Sequence, residues 1–419
     1  MFGGFFLNYN NKKVGITGPF GDINFGDYAM LVNNIYDFNS NDITLFSYND
    51  KFLDLIKEEY LDDYDIDILS VKLKNESEKI SVDSNLTPVE IINLSNNYNL
   101  LFEKVKNLDI LVVNGGGYFN GLWSQPHRID KLIKIIIPIL IANQLNIKII
   151  FTGNSFGPFG KDKEFFAGIF NSLKNIEFMC RDDLYSPMWL KQSGIKYNKI
   201  NYLPDDLFFV NDKILDKETT YEMPVDKYIV MESYLHMDYF EKNIDKIKKF
   251  TNKIYEKYRL KTLFLPFDLS FGGMKQGRYL NSQLKHFDIY DISRKGYLPL
   301  QDAIKIIKNS ELVISTRYHA LILALSNKIP GVNVLRDVMG DKRYYYNKSS
   351  GILRKVFKNI YYNEKYYLGL DYVETLNFVT ENYDDIVEHQ LSNYNNQFEK
   401  NKNKLQEIRT NYINKIFKK

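Results

Sequence analysis

Short apolar runs alternate along this chain with helix-length segments, and that alternation constrains the fold more than any other feature. It predicts strands over 14–17, 43–46, 109–113, 148–152, 178–180 and 199–203. Helices over 27–38, 128–143, 165–173 and 184–192 lie between them. A polar stretch over 211–224 has no apolar periodicity and reads as a linker. The alternation then resumes, with strands over 228–231, 262–265, 287–290 and 312–314 and helices over 244–258 and 300–308. The segment 51–97 is polar and irregular, and its elements are left unplaced. Strands joined by helices of this length pair in parallel, since a helical crossover returns each strand in the same direction. The expected fold is α/β: two Rossmann-like domains over 1–210 and 225–350 facing across a cleft, then a mostly helical, charged extension over 351–419.

Composition excludes more than it selects. A chain of 419 residues is too long for one simple core. Its 55 basic and 52 acidic residues leave a net charge of +3, which gives no electrostatic footprint for nucleic acid. Cys180 is the single cysteine, so a disulfide framework and a cysteine metal site are both excluded. His127, His236, His286 and His389 are scattered without metal-ligand spacing, and no metal is expected. Residues 1–6 are too short for a signal segment. The most apolar stretch, 129–151, is broken by Lys131, Lys134 and Lys148 and reads as a buried helix and strand, not a transmembrane segment. A cytoplasmic protein is the default expectation.

The strand ends carry the chemistry. Ser315-Thr316-Arg317-Tyr318-His319-Ala320 joins an apolar strand to an apolar helix. Ser315 or Thr316 can cap that helix, which puts Arg317 and His319 in its first turn, beside free N–H groups and the positive dipole end. A guanidinium and an imidazole there suit a small anion, and an ordinary strand-to-helix turn is the plain alternative. The first loop, residues 18–27, opens a helix without GxGxxG spacing. Its Asp27 is either a first-turn helix acid or a general base on a sugar hydroxyl. Gly115-Gly116-Gly117 permits close backbone approach to a ligand, and Tyr118 and Trp123 are either stacking faces or core aromatics. Arg181 follows another strand and is either an anion ligand or the partner of Asp182 or Asp183.

Taken in order, Asn24-Phe25-Gly26-Asp27, Gly115-Gly116-Gly117, Gly153-Asn154-Ser155-Phe156-Gly157-Pro158, Arg181-Asp182 with Ser186, Pro204-Asp205 and the 315–320 motif resemble the polysaccharide pyruvyl transferase family over about 13–340. The resemblance implies a GT-B-like architecture, with the first domain on the acceptor side and the second on the donor side. It implies transfer of a pyruvyl group from phosphoenolpyruvate to a sugar diol of a bacterial surface polysaccharide or its lipid-linked precursor, with no cofactor. Peripheral association with the inner face of the membrane would be compatible with such an acceptor. By resemblance His319 and Asp27 are catalytic, Arg181 and Arg317 bind donor, and Asn24, Gly116, Gly117, Tyr118 and Trp123 line the acceptor side. Two departures stand out. Met231-Glu232-Ser233-Tyr234 lacks the basic residue expected after the first strand of the second domain, and Leu335-Arg336-Asp337-Val338 replaces a Tyr-Asp-x-Lys-like pattern. Arg336 or Lys342 is the expected substitute cation. A nucleotide-sugar glycosyltransferase and a non-catalytic glycan-binding protein are the alternative readings.

Overall fold

The computed structural model describes residues 10–74, 86–220, 222, 226–269, 273–338 and 340–417. Residues 1–6, part of the expected linker and residues 418–419 of the extension lie outside the described residues. The chain forms two compact units: one of residues 1–22, 30–206 and 407–419, the other of residues 23–29 and 207–406.

The first unit holds strands β1 (Asn10–Thr17), β2 (Ser40–Ser47), β3 (Asp65–Ser70), β4 (Ile110–Val113), β5 (Gly116–Phe119), β6 (Lys148–Phe151), β7 (Asn154–Phe156), β8 (Glu177–Cys180) and β9 (Lys199–Tyr202). They form one sheet of order β3-β2-β1-β4-β6 and a second of order β5-β7-β8-β9. The expected strands are present, and every pairing between these strands is parallel. The unplaced segment supplies a helix over Lys51–Tyr60, β3 and a helix over Pro88–Asn93. The last of these starts with a capping box between Thr87 and Glu90. Two glycine-bearing loops turned out to contain short strands, β5 and β7, too brief for any periodicity to register.

The second unit holds β10 (Tyr228–Met231), β11 (Lys261–Phe264), β12 (Phe287–Ile289), β13 (Val313–Ser315), β14 (Gly331–Val334) and β15 (Leu368–Gly369). Their order is β12-β11-β10-β13-β14-β15, which in local numbering is the 3-2-1-4-5-6 order of a doubly wound sheet. Its two central strands, β10 and β13, are buried along their whole length, as a sheet covered on both faces requires. Within the expected linker a helix spans Asp212–Leu215 with Ile214 buried, and Thr220 donates its N–H to Asp302 at 3.0 Å. The tail is helical over Tyr372–Asn393 and Asn396–Phe417. Tyr372, Leu376, Val379 and Ile386 from its first helix belong to the core of the second unit.

Phe119, Phe151, Phe156, Phe170 and Phe178 pack ring on ring in the first unit, with Phe156 stacked on Phe119 at 5.7 Å and edge-on to Phe178 at 4.8 Å. Phe156→Ala is expected to cost about 3–5 kcal/mol. Both tryptophans, Trp123 and Trp189, lie in this unit, so their fluorescence in urea reports its midpoint, and an unshifted midpoint would count against the packing.

Candidate active site

In the second unit β10 and β13 are parallel neighbours, with Val230 opposite Val313 and Met231 opposite Ile314. The chain leaves both strands side by side where the strand order reverses, the place at which open α/β sheets bind ligands. Part of that place is filled from within. Glu232 has no exposed surface and accepts the N–H groups of Thr316 and Arg317, each at 3.0 Å. It also accepts the Thr316 hydroxyl at 3.3 Å and Arg317 Nε at 3.2 Å. Burial pushes the Glu232 carboxyl up, while the Arg317 charge and the donated N–H groups oppose that rise. Burial disfavours the Arg317 cation too, but Glu232 and Asp268 outweigh it and hold the guanidinium protonated.

The expected cap is corrected here. The helix is Tyr318–Ser326 with Arg317 at its N-cap and no side-chain cap. Thr316 instead bonds Glu232 and accepts the N–H of Tyr234 at 2.6 Å. A turn whose N–H groups are met by a residue 84 positions away leaves no local sequence signal. Only His319 falls in the first turn.

The other groups assemble on Arg317. Nη1 donates to Asn24 Oδ1 at 2.6 Å, and Nη2 donates to Asp268 Oδ2 at 3.2 Å. Asn24 Nδ2 donates to Asp27 Oδ2 at 2.5 Å, and the Asp27 N–H closes the turn onto Asn24 O at 2.9 Å. Gly26 lies against the imidazole: a Cβ there would fall 1.8 Å from His319 Nδ1. Asn24, Asp27, Arg317 and His319 are thus brought together within one unit.

A second cationic group adjoins. The Tyr234 ring carries two guanidinium groups, Arg317 at 4.3 Å and Arg336 at 3.7 Å. Arg336 Nη1 also donates to the Tyr345 hydroxyl at 3.0 Å. Lys348 stands 4.4 Å from the Tyr345 ring. Lys342 is directed elsewhere, donating to the carbonyl of Leu370.

The remaining residues belong to the first unit. Arg181 is 1% exposed; Nη1 pairs with Asp205 at 2.7 Å and Nε donates to Ser155 at 2.7 Å. Its charge therefore meets Asp205, neither of the two acids that follow it. Asp182 instead bonds Ser186 and the N–H of Tyr185. Gly116 has φ +142, and a Cβ on Gly117 would meet Arg181 Nη2 at 3.0 Å. Tyr118 is wholly buried with its hydroxyl on Asn114 O at 2.7 Å, so its ring is a core element. Trp123 is also buried, with Arg128 over its ring at 5.5 Å. Sequence reasoning missed Asp268, Tyr234 and the role of Glu232. Glu232 left one trace, an acid where a base was expected.

Among the described residues no group of three or more His, Cys, Asp or Glu is placed to hold a metal ion, and no helix is long and apolar enough to cross a membrane.

The fold is of the GT-B kind. S. aureus MnaA with UDP superposes with a TM-score of 0.56 at 13% identity, covering 96% of this chain and 97% of that one. UDP-GlcNAc 2-epimerase from Neisseria meningitidis bound to UDP-GlcNAc gives 0.54 at 12%, covering 95% and 99%. Anabaena HepE in complex with UDP and glucose gives 0.54 at 9%, also covering 95% and 99%. No curated protein sequence matches the chain. The polysaccharide pyruvyl transferase family matches residues 24–337, three quarters of the chain, and the protein belongs to that family of transferase enzymes.

Two substitutions test this geometry. Gly26→Ala is expected to displace the His319 ring, shifting one of five imidazole signals in a histidine NMR spectrum, at a stability cost of about 1–3 kcal/mol. Glu232→Ala is expected to cost about 3–5 kcal/mol by calorimetry, because it leaves Arg317 without its buried partner. A near-neutral result would remove Glu232 from the site's support.

Proposed function

We propose that this enzyme transfers a pyruvyl group from phosphoenolpyruvate to two hydroxyls of one sugar, on a bacterial surface polysaccharide or its lipid-linked precursor. The observation that carries this reading is the cluster in which Asn24 joins Asp27 to Arg317 and Gly26 lies against His319, with Arg336 beside it.

Phosphoenolpyruvate carries a phosphate and a carboxylate, and needs cations held in fixed directions. Arg317 is preoriented by Glu232, Asp268 and Asn24. Arg336 forms no ion pair among the described residues, so it is the cation whose charge is left to a ligand. Asp27 takes the proton of the attacking hydroxyl as its oxygen bonds the donor's C2. His319 delivers a proton to the methylene carbon, which becomes the methyl group. The second hydroxyl then bonds C2 as the C2–O bond to the phosphate breaks; its proton leaves with inorganic phosphate, and the ketal closes. Nothing is oxidised or reduced overall, so the reaction calls for no redox cofactor. With its charge matched by Asp205, Arg181 is assigned to holding Gly117 and Ser155 on the acceptor side.

The UDP-bound structural relatives motivate a second reading, a nucleotide-sugar glycosyltransferase. Thermal shift with UDP- and GDP-sugars against phosphoenolpyruvate separates the two.

With phosphoenolpyruvate and a sugar acceptor, phosphate release is expected. His319→Ala should lower it about 10²-fold or more, and Arg336→Met should raise the donor KM by about tenfold. In D2O the ketal methyl should carry one deuteron. Phosphate release unchanged in His319→Ala would sink the assigned role.

A further inference from the structure

The last helix brings one arginine into the core of the first unit, beyond the residues matched by the family. Arg409 is 3% exposed. Its Nη1 donates to Asp206 Oδ1 at 2.7 Å, and Nη2 donates to Asn34 Oδ1 and Asp37 Oδ2, both at 2.7 Å. Nε donates to Asp37 Oδ2 at 3.0 Å.

Asp206 has no exposed surface and is the point on which three strand-end loops close. Its Oδ2 accepts the Thr152 hydroxyl at 2.6 Å and Asn34 Nδ2 at 2.9 Å, and Oδ1 accepts the Gly153 N–H at 3.3 Å. A Cβ on Gly115 would fall 2.2 Å from Asp206 Oδ2, and one on Gly153 would fall 2.8 Å from Pro204 O. The neighbouring Asp205 is the partner of Arg181. A buried carboxylate at such a junction is stable only when its charge is met.

We propose that Arg409 is a positioning residue: by fixing Asp206 it sets the 204–206 turn, and through Asp205 it sets Arg181 against Gly117 and Ser155. The geometric part stands on the first unit alone; its consequence for turnover rests on the pyruvyl-transfer reading.

Cys180 supplies the readout. It is the chain's only cysteine, is fully buried, and directly precedes Arg181, whose N–H bonds Asn154 O at 2.9 Å. Thiol labelling in the full-length protein therefore reports opening of this loop without any substrate. Arg409→Lys keeps the charge and loses the fork, while Arg409→Met loses both. Each is expected to raise the labelling rate on the order of tenfold with the circular dichroism of the fold retained. Adding Asp206→Asn to Arg409→Met should bring labelling back towards wild type, since the fully buried position 206 then carries no charge and Asp37, 20% exposed, keeps contact with water. In turnover the acceptor KM should rise about tenfold while kcat changes less than about threefold. A folded Arg409→Met with wild-type labelling overturns the proposal. If Arg409→Met does not fold, recovery in the double variant supports it and failure to recover overturns it. Faster labelling in a protein whose wild type turns over no phosphoenolpyruvate supports Arg409 and overturns the transfer reading instead.

Discussion

A carboxylate buried between two parallel strands governs the second unit. Strands β10 and β13 end together, and the residues that follow must share a small space rich in unpaired N–H groups. Glu232 takes two of those groups and one edge of Arg317. Without it the turn into the helix Tyr318–Ser326 would keep its donors unsatisfied, and the guanidinium would lose its orientation. With it, Arg317 points two further nitrogens at Asn24 and Asp268, and the loop holding Asp27 and Gly26 acquires a fixed seat. His319 then occupies the space that only a glycine at position 26 leaves open.

The first unit follows the same physical rule with the signs exchanged. There the strand-end loops close on the carboxylates Asp205 and Asp206, and the buried cations Arg181 and Arg409 meet them. Burying a charge is expensive unless a partner and several hydrogen bonds come with it. Each unit therefore carries its own neutralised network. Arg336 differs: the described residues give it tyrosine faces and a hydroxyl in place of an acid. That contrast separates cations neutralised within the fold from one that meets no acid among the described residues.

How much was legible in the sequence varied with the range of the interaction. Strands such as Ile110–Val113 and Tyr228–Met231 announced themselves as apolar runs, because a strand covered on both faces has no polar side. The helix Leu300–Lys308 showed its periodicity to the residue. The short strands β5, β7 and β15 gave no pattern, since each mixes glycine or polar residues into two to four positions and so offers neither an apolar run nor room for a period of two. Asp27, Arg317 and His319 stood out as candidates because they follow strands inside motifs, whereas Asp268 and Tyr234 follow strands too but lacked a distinguishing neighbour. Tyr118 and Trp123 show the opposite failure: an aromatic after a glycine loop reads alike whether it faces a ligand or the core.

By itself the sequence determined the α/β class, the parallel pairing and the set of loops that carry polar groups, because these depend on residues close together in the chain. Only the tertiary structure decided which charges are paid internally and which face outward. Glu232 meets Thr316 across 84 positions, and Arg409 meets Asp206 across 203. Such pairs exist only after the sheet order has brought distant segments side by side, so no local pattern encodes them.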